Sequence, residues 1–430
     1  MHNVFGMFYH AATADGLRLR NNERPLVLSR AFFAGTQRIG PVWTGDNAAD
    51  WHHLRKSIPM TLALGISGLT WSGADVGGFF GDPDAELMTR WYQLGMYCAF
   101  PKSRHWFTES GDCLSIHRDT QDVNHFLFQH PGAFYPFFRG HAHLDTKRRE
   151  PWMFGEPYTR TIRTAIRTRY QLMPYLYTLF EAAHREGTPV LRPLWFEFPD
   201  DDSVAKNDIR FVMRVSQIID DLFSHTRLTL FFYNRSAMVG PALLLAPVLE
   251  KSVESIVVYL PKGVWYDYDT HERHVGPKTV TKAVTLATTP LFIRGGFIIP
   301  RKDRARRSVK AMGGDPLTLL VAPDENGDAV GETYVDDGVG YAYVGSDAFI
   351  RRGFVFKKGA LTCGSPSKET AKGSGVESGN AFAAREATKP GVGGDFPDAN
   401  VKVERVLVLD SQKTIRQPNV RLGEDWQLTV

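Results

Sequence analysis

The sequence predicts an α/β region of barrel type followed by an all-β region, and three observations carry that expectation. From residue 24 to about 200, short apolar runs alternate with helical patterns, as in βα units around a parallel sheet. Within that region Ser29-Arg30, the Thr44–Asn47 cluster and the Ser72–Asp75 cluster each follow a strand-like run. In a (β/α)8 barrel the loops after strands build the catalytic face, so polar clusters sharing that position point to one site. From about residue 237 the pattern changes to short strands separated by Gly, Pro and Asp turns, the signature of antiparallel β-sandwiches.

The elements follow in order. MHNVFGMFYHAATADGL lacks the basic and apolar regions of a signal peptide and reads as the middle of a domain. PLVL (25–28) and GPVW (40–43) are strand-like. Asn47 is placed to cap a helix over AADWHHLRKSIPMTLAL, which Pro59 should bend. ISGLTW (66–71) reads as a strand, SGADVGGFFGDPD as a loop and AELMTRWYQLG as a helix. TRTIRTAIRTRYQLMPYLYTLFEAAHREG (159–187) is a long helical pattern ending at Gly187, and PVLRPLWFEF is a strand. ALLLAPVL, SIVVYLP, VWYDY, KAVTLA, PLFIRGGFIIP and LTLLVA form a first β set. GETYVDDG, GYAYV, FIRRGFVFKKGALT, VKVERVLVLD and WQLTV form a second, interrupted at about 363–400 by a polar, Gly-rich stretch expected to be a mobile loop.

Composition excludes several classes. A length of 430 residues suggests two or three units, and 43% apolar residues are ample for their cores. A net charge of +4 with scattered Lys and Arg leaves no stripe for nucleic acid and no polybasic patch for a membrane surface. No apolar run approaches the roughly 20 residues that span a bilayer. Cys98, Cys113 and Cys363 have no metal or redox spacing, and their odd number precludes a fully paired intrachain framework.

WTGDNAADW raises the central chemical question. Asp46 or Asn47 could simply cap the following helix; alternatively, Asp46 is half of a catalytic carboxylate pair. The motifs RAFFAGTQR (30–38), WTGDNAADW (43–51), SIPMTLALGISGLTWSGADVGGFFGDPDAEL (57–87), RWYQLG (90–95) and FYPFFRGHAHLDTKRREPW (134–152) resemble family 31 of the glycoside hydrolases. The likeness runs over most of residues 2–200, resumes at 237–358 and has a weak echo in GEDWQLTV.

That resemblance implies a retaining α-glucosidase that removes terminal α-linked glucose from N-linked glycans by double displacement. It also implies domain limits: the C-terminal part of a (β/α)8 barrel at 1–208, a proximal β-sandwich at 237–310 and a distal β-domain at 311–430. Retaining enzymes need two carboxylates about 5–5.5 Å apart, one nucleophile and one acid/base. By the motif Asp46 is the acid/base, Arg30 hydrogen-bonds the glucose and His141 contacts the same sugar. Asp75 and Arg139 would line the pocket, with Trp43 and Phe79 as its aromatic wall. No cofactor or metal is implied; His141 and His143 could form a metal pair but lack an evident third ligand. The implied partners are a glucosylated oligosaccharide or N-glycan and a non-catalytic β subunit, and the implied compartment is the endoplasmic-reticulum lumen.

Plainer readings stand beside these. Arg30 could be a structural salt-bridge residue, Asp75 could cap the turn before Gly77-Gly78, and one of the two histidines, assigned as His143, should be buried and satisfied. Asp145, Lys147, Arg148 and Arg149 read as a solvated or ion-paired surface run. Three departures from the family pattern are expected to matter. The nucleophile belongs to a W-x-D-M-N-E-P-type segment upstream of HNVFG, which makes the chain read as truncated, and as made from Met1 it would stay cytosolic. The segments 96–132 and 209–236 read as atypical inserts, either translated introns or lineage-specific additions, and should be peripheral or poorly ordered. Cys98, Cys113 and the N-x-S sequon at Asn234 lie inside them. The alternative function is a catalytically inactive, sugar-binding or non-functional fragment.

Overall fold

The computed structural model describes residues 2–95, 139–204, 236–306, 308–345, 348–367, 370, 400–411 and 413–430. The expectations for the insert 96–132, for 209–235 including Asn234, for Cys98 and Cys113 and for most of the 363–400 loop lie outside these residues.

The first region is α/β. Helix α1 (Phe5–Asn21) precedes a parallel arrangement of very short strands: β1 (Val42–Trp43) pairs with β2 (Ser72–Gly73), and β3 (Asp75–Val76) pairs with β4 (Arg139–Gly140). Isolated parallel bridges from Ser29 to Val42 and from Ala48 to Phe80 extend the same wall. PLVL itself forms no strand, and pairing begins at Ser29, one residue beyond it.

Helix α2 (Trp51–Ile66) follows β1 and continues through Pro59. Its cap is Asp50, whose carboxylate accepts the His53 N–H at 2.7 Å, and not Asn47 as the sequence suggested. Asn47 lies too far upstream to reach the first turn, and its amide is engaged across the sheet. Asp50→Ala should therefore cost about 1 kcal/mol, read as a lowered urea midpoint with unchanged slope. The helix also absorbs Ile66, so the strand expected at 66–71 appears downstream as β2 and β3, and Asp75 stands in a strand.

Helix α3 (Ala85–Gly95) coincides with AELMTRWYQLG. The long 159–187 pattern is two helices, α4 (Tyr158–Gln171) and α5 (Met173–Glu186), which meet at Leu172. Pro174, lacking an N–H, suits the first turn of α5 and not the interior of one continuous helix. Gly187 ends α5 with φ +76°, as the sequence indicated.

The rest is two sheets. A six-stranded antiparallel sheet has the order β5 (Leu191–Arg192), β6 (Ala237–Val239), β7 (Leu243–Leu245), β10 (Leu291–Arg294), β8 (Ser255–Asp267), β9 (Arg273–Ala283). PVLRPLWFEF thus gives its first residues to this sheet, through Leu191 opposite Val239, and continues as the short helix α6 (Leu194–Glu197). An eight-stranded sheet has the order β17 (Lys413–Arg421), β16 (Lys402–Val408), β12 (Leu317–Ala322), β11 (Phe297–Arg301), β13 (Ala329–Val335), β14 (Ile350–Lys357), β15 (Ala360–Gly364), β18 (Trp426–Thr429). Sheet membership changes at Gly295-Gly296, earlier than the boundary expected at 310. GYAYV contributes to a short helix, α7 (Ala342–Gly345), and not to a strand.

One apolar core joins the α/β region to both sheets through Leu54, Trp91, Leu176, Leu243 and Ile299. Burying such side chains supplies roughly 1.5–3 kcal/mol each, so this continuous core fixes the α/β wall on a β platform. Among the described residues no helix is long and apolar enough to cross a membrane.

Candidate active site

The floor of the site is set by strand register. Parallel pairing of β3 with β4 sets Asp75 beside Arg139, and Arg139 Nη2 donates to Asp75 Oδ1 at 2.7 Å. Asp75 is fully buried, and burial pushes its carboxyl above the ordinary value of 3.8, with Arg139 opposing and then His141; nearby Asp46 adds to the upward push. Its second oxygen, Oδ2, is buried with no hydrogen-bond partner among the described residues. Trp43, at the end of β1, takes the Arg139 guanidinium over its ring at 4.9 Å, and its own Nε1 is likewise buried without a partner there.

The mouth is built from the neighbouring loop. Thr44 N donates to Gly73 O at 3.0 Å, Gly45 turns the chain at φ +87°, and Asp46 emerges beyond it. Asp46 Oδ2 accepts from Arg30 Nη1 at 3.3 Å. Arg30 is mostly exposed, so the pair contributes little to stability and is free to exchange partners. Neither Asp46 nor Asn47 caps a helix.

Asn47 instead clamps two loops together. Its side-chain N donates to Asp75 O at 3.0 Å, and its Oδ1 accepts Phe79 N at 2.9 Å. Its carbonyl accepts from both Phe79 N and Phe80 N. This grip needs the chain to pass very close to Ala49: at Gly78, φ +82°, a Cβ would fall 2.4 Å from the Ala49 backbone. Only glycine meets both demands. Phe79 then presents its ring to His141, stacked at 5.2 Å with planes 27° apart. Burial and Arg139 hold the His141 imidazole below its ordinary value of 6.5, against the pull of Asp75 and Asp46, which favours a neutral ring.

All seven side chains singled out in the sequence therefore meet: Asp75, Arg139 and Trp43 at the floor, Phe79 and His141 at the side, Arg30 and Asp46 at the mouth. Asp75 has more than the turn-capping role also considered for it, since Arg139 occupies its carboxylate. His143, expected to be buried, is half-exposed, edge-on to Phe79, with Nδ1 3.3 Å from Asp145.

Two residues that shape the site have roles the sequence does not reveal. The sequence assigns Asn47 to a helix cap, although Asp50, three residues before His53, offers the competing signal. Arg149 reads as part of a surface charge run. Asp145 and Arg148 are exposed, but Arg149 turns inward and donates to Gly77 O, Gly78 O and Gly81 O. The signal available is the glycine-rich loop itself, whose carbonyls need donors. Among the described residues no group of three or more His, Cys, Asp or Glu side chains could hold a metal ion.

Comparison with known proteins bears on the family of the chain. Residues 1–125 and 127–179 match the Glycosyl hydrolases family 31 TIM-barrel domain, and residues 187–299 match the Glycosyl hydrolase family 31 C-terminal domain. The probable glucan 1,3-alpha-glucosidase of Arabidopsis thaliana is 40% identical over 453 residues, covering 100% of this chain and 41% of the relative. Neutral alpha-glucosidase AB of Homo sapiens is 43% identical over 373 residues, covering 86% of this chain and 33% of the relative. In a crystal structure of the ER glucosidase II heterodimeric complex, consisting of the catalytic subunit and the binding domain of the regulatory subunit, the matched chain superposes with a TM-score of 0.73 at 32% identity. That match covers 99% of this chain and 42% of the other. The chain thus spans between a third and about two fifths of the length of these relatives.

Proposed function

The chain belongs to glycoside hydrolase family 31, and on that premise we propose that its pocket is the sugar subsite of a retaining α-glucosidase, with Asp46 as acid/base. The observation that carries this reading is the pairing of two unlike carboxylates. Asp46 stands at the accessible mouth, while Asp75 is buried and held by Arg139. Only the first can exchange protons with a departing oxygen and with incoming water.

In this reading Asp46 protonates the glycosidic oxygen as the bond breaks, then takes a proton from the water that releases the sugar. Arg30 orients the Asp46 carboxylate and bonds the glucose. Trp43 and Phe79 cover apolar faces of the ring. Neutral His141 offers a polar atom to its hydroxyls, and a site that hydrogen-bonds hydroxyls discriminates against analogues lacking them. The attacking carboxylate comes, in this proposal, from a segment outside these 430 residues, because Asp75 is fully buried and ion-paired with Arg139.

The substrate class is terminal α-linked glucose on an N-linked glycan, with a non-catalytic regulatory subunit as partner and the endoplasmic-reticulum lumen as compartment. Support comes from the relatives named as glucan 1,3-alpha-glucosidase and neutral alpha-glucosidase AB, and from the catalytic–regulatory complex of ER glucosidase II. The commitment of Asp75 to Arg139 also keeps a second reading in view: these residues alone bind sugar without turning it over.

An aryl α-glucoside decides between them. The 430-residue chain should show no turnover, whereas the same chain extended by a family nucleophile segment should hydrolyse it and release α-glucose first, as proton NMR records. Release of β-glucose first, or normal hydrolysis by the unextended chain, would overturn the assignment.

A further inference from the structure

The Gly77–Gly81 segment between β3 and α3 carries Phe79, yet it has little reason of its own to hold one shape. Gly77, Gly78 and Gly81 all have positive φ, at +92°, +82° and +75°. Such a segment has many conformations in reach and pays more entropy than most to be fixed. It is gripped from two sides. On the pocket side Asn47 takes the Phe79 and Phe80 N–H groups, and His143 N donates to Phe79 O at 2.9 Å. On the other side the carbonyls of Gly77, Gly78 and Gly81 converge on one guanidinium, Arg149, at 3.2, 2.7 and 2.5 Å.

Arg149 is well suited to that task. Its side chain is only 11% exposed, and Asp82, on the same loop, lies 3.7 Å from its Nη2. A planar fork can serve three divergent carbonyls at once, whereas an ammonium on a flexible stem cannot hold the same set in fixed directions. The three carbonyls belong to residues on both sides of Phe79, so the fork fixes the direction in which that ring projects.

We propose that Arg149 is a positioning residue for the sugar subsite. By gathering the Gly77, Gly78 and Gly81 carbonyls it holds Phe79 against His141, so that aromatic wall and imidazole face the sugar as one surface. Arg149 touches neither ring and acts through the loop. The stacking claim stands on the geometry alone; the sugar-binding consequence rests on the subsite reading above.

The test uses the 430-residue chain and the ring protons of His141, which the stacked Phe79 shifts upfield in NMR spectra. Phe79→Leu calibrates the full loss of that shift. In Arg149→Met the His141 signals should move most of the way to the Phe79→Leu position while the thermal transition stays cooperative, and Arg149→Lys should fall between. Titrated with methyl α-glucoside, Arg149→Met should bind about tenfold more weakly, the scale of 1.4 kcal/mol of lost positioning. His141 signals unmoved in a folded Arg149→Met would overturn the proposal. Should that variant not fold, Arg149→Lys decides: signals and affinity both at wild-type values would overturn it equally. If the unsubstituted chain binds no methyl α-glucoside, the subsite reading fails, while the His141 signals still decide the role of Arg149.

Discussion

Asp46→Ala, in a chain that also carries the nucleophile segment, should lower kcat for a poor leaving group about 10²–10⁴-fold, the usual worth of general acid–base assistance. The loss should shrink as the leaving group improves, because an activated phenolate needs no proton to depart. For such substrates the second step becomes limiting, since the water that releases the sugar has lost its base. Azide needs no base and fits the space vacated by a carboxylate, so it should restore turnover and yield the α-glucosyl azide. Stability should hardly change: the Arg30 lost as a partner is mostly exposed, and pairs of that kind contribute about 0–1 kcal/mol. An equal loss for good and poor leaving groups, with no azide rescue, would move Asp46 from proton transfer to a supporting role.

The sequence reveals most of the candidate site because its motifs name side chains that two short parallel pairings and two isolated parallel bridges bring together. Once Val42–Trp43 lies beside Ser72–Gly73, and Asp75–Val76 beside Arg139–Gly140, the motif loops have little choice of direction. What stays hidden are backbone partners. Nothing in the residue types distinguishes Asn47 as a cap from Asn47 as a clamp, since an amide can do either, and only the path of the Phe79 loop decides it. Arg149 sits in a charge run beside Arg148, yet one side chain is exposed and the other folds onto three carbonyls.

The β region shows the same limit. The strand at 413–421 is not legible in the sequence, because KTIRQPNVR is polar and contains Pro418. In the sheet it is β17, the edge strand, where a missing N–H costs least. Its register with β16 jumps between Val403 opposite Val420 and Arg405 opposite Arg416, and Pro418 falls within that irregularity. Conversely Leu191–Arg192 reads as a barrel strand, because a short apolar run between helices has the same pattern in parallel and antiparallel sheets. Periodicity gives the element, and the partner is decided by which edge the folded neighbours leave open.

Glu332→Gln should stabilise the protein at pH 8 and leave it nearly unchanged at pH 4. Glu332 is on β13, opposite Gly353 of β14, and is buried. Thr370 packs over Gly353, where a Cβ would come within 2.7 Å of its Oγ1, and that hydroxyl donates to Glu332 Oε1 at 3.1 Å. Burial raises the carboxyl from 4.5 to about 7, against the attraction of Arg185 and Arg351 and the Thr370 hydrogen bond, while Glu181 adds to the rise. A folded-state value above the unfolded one means that this group's stabilising contribution is complete below about pH 4.5 and is lost as pH rises through about 7. Each pH unit between the two values is worth about 1.4 kcal/mol, so the loss above pH 7 amounts to about 3 kcal/mol. Glutamine keeps the acceptor for Thr370 and never ionises, so urea unfolding of wild type and variant should diverge by up to that amount between pH 4 and pH 8. Taking the difference between the two proteins cancels the titrating groups that do not interact with Glu332. A difference that stays constant across the range would mean that Glu332 ionises normally and that the Glu181, Arg185 and Arg351 charges around it already balance its burial.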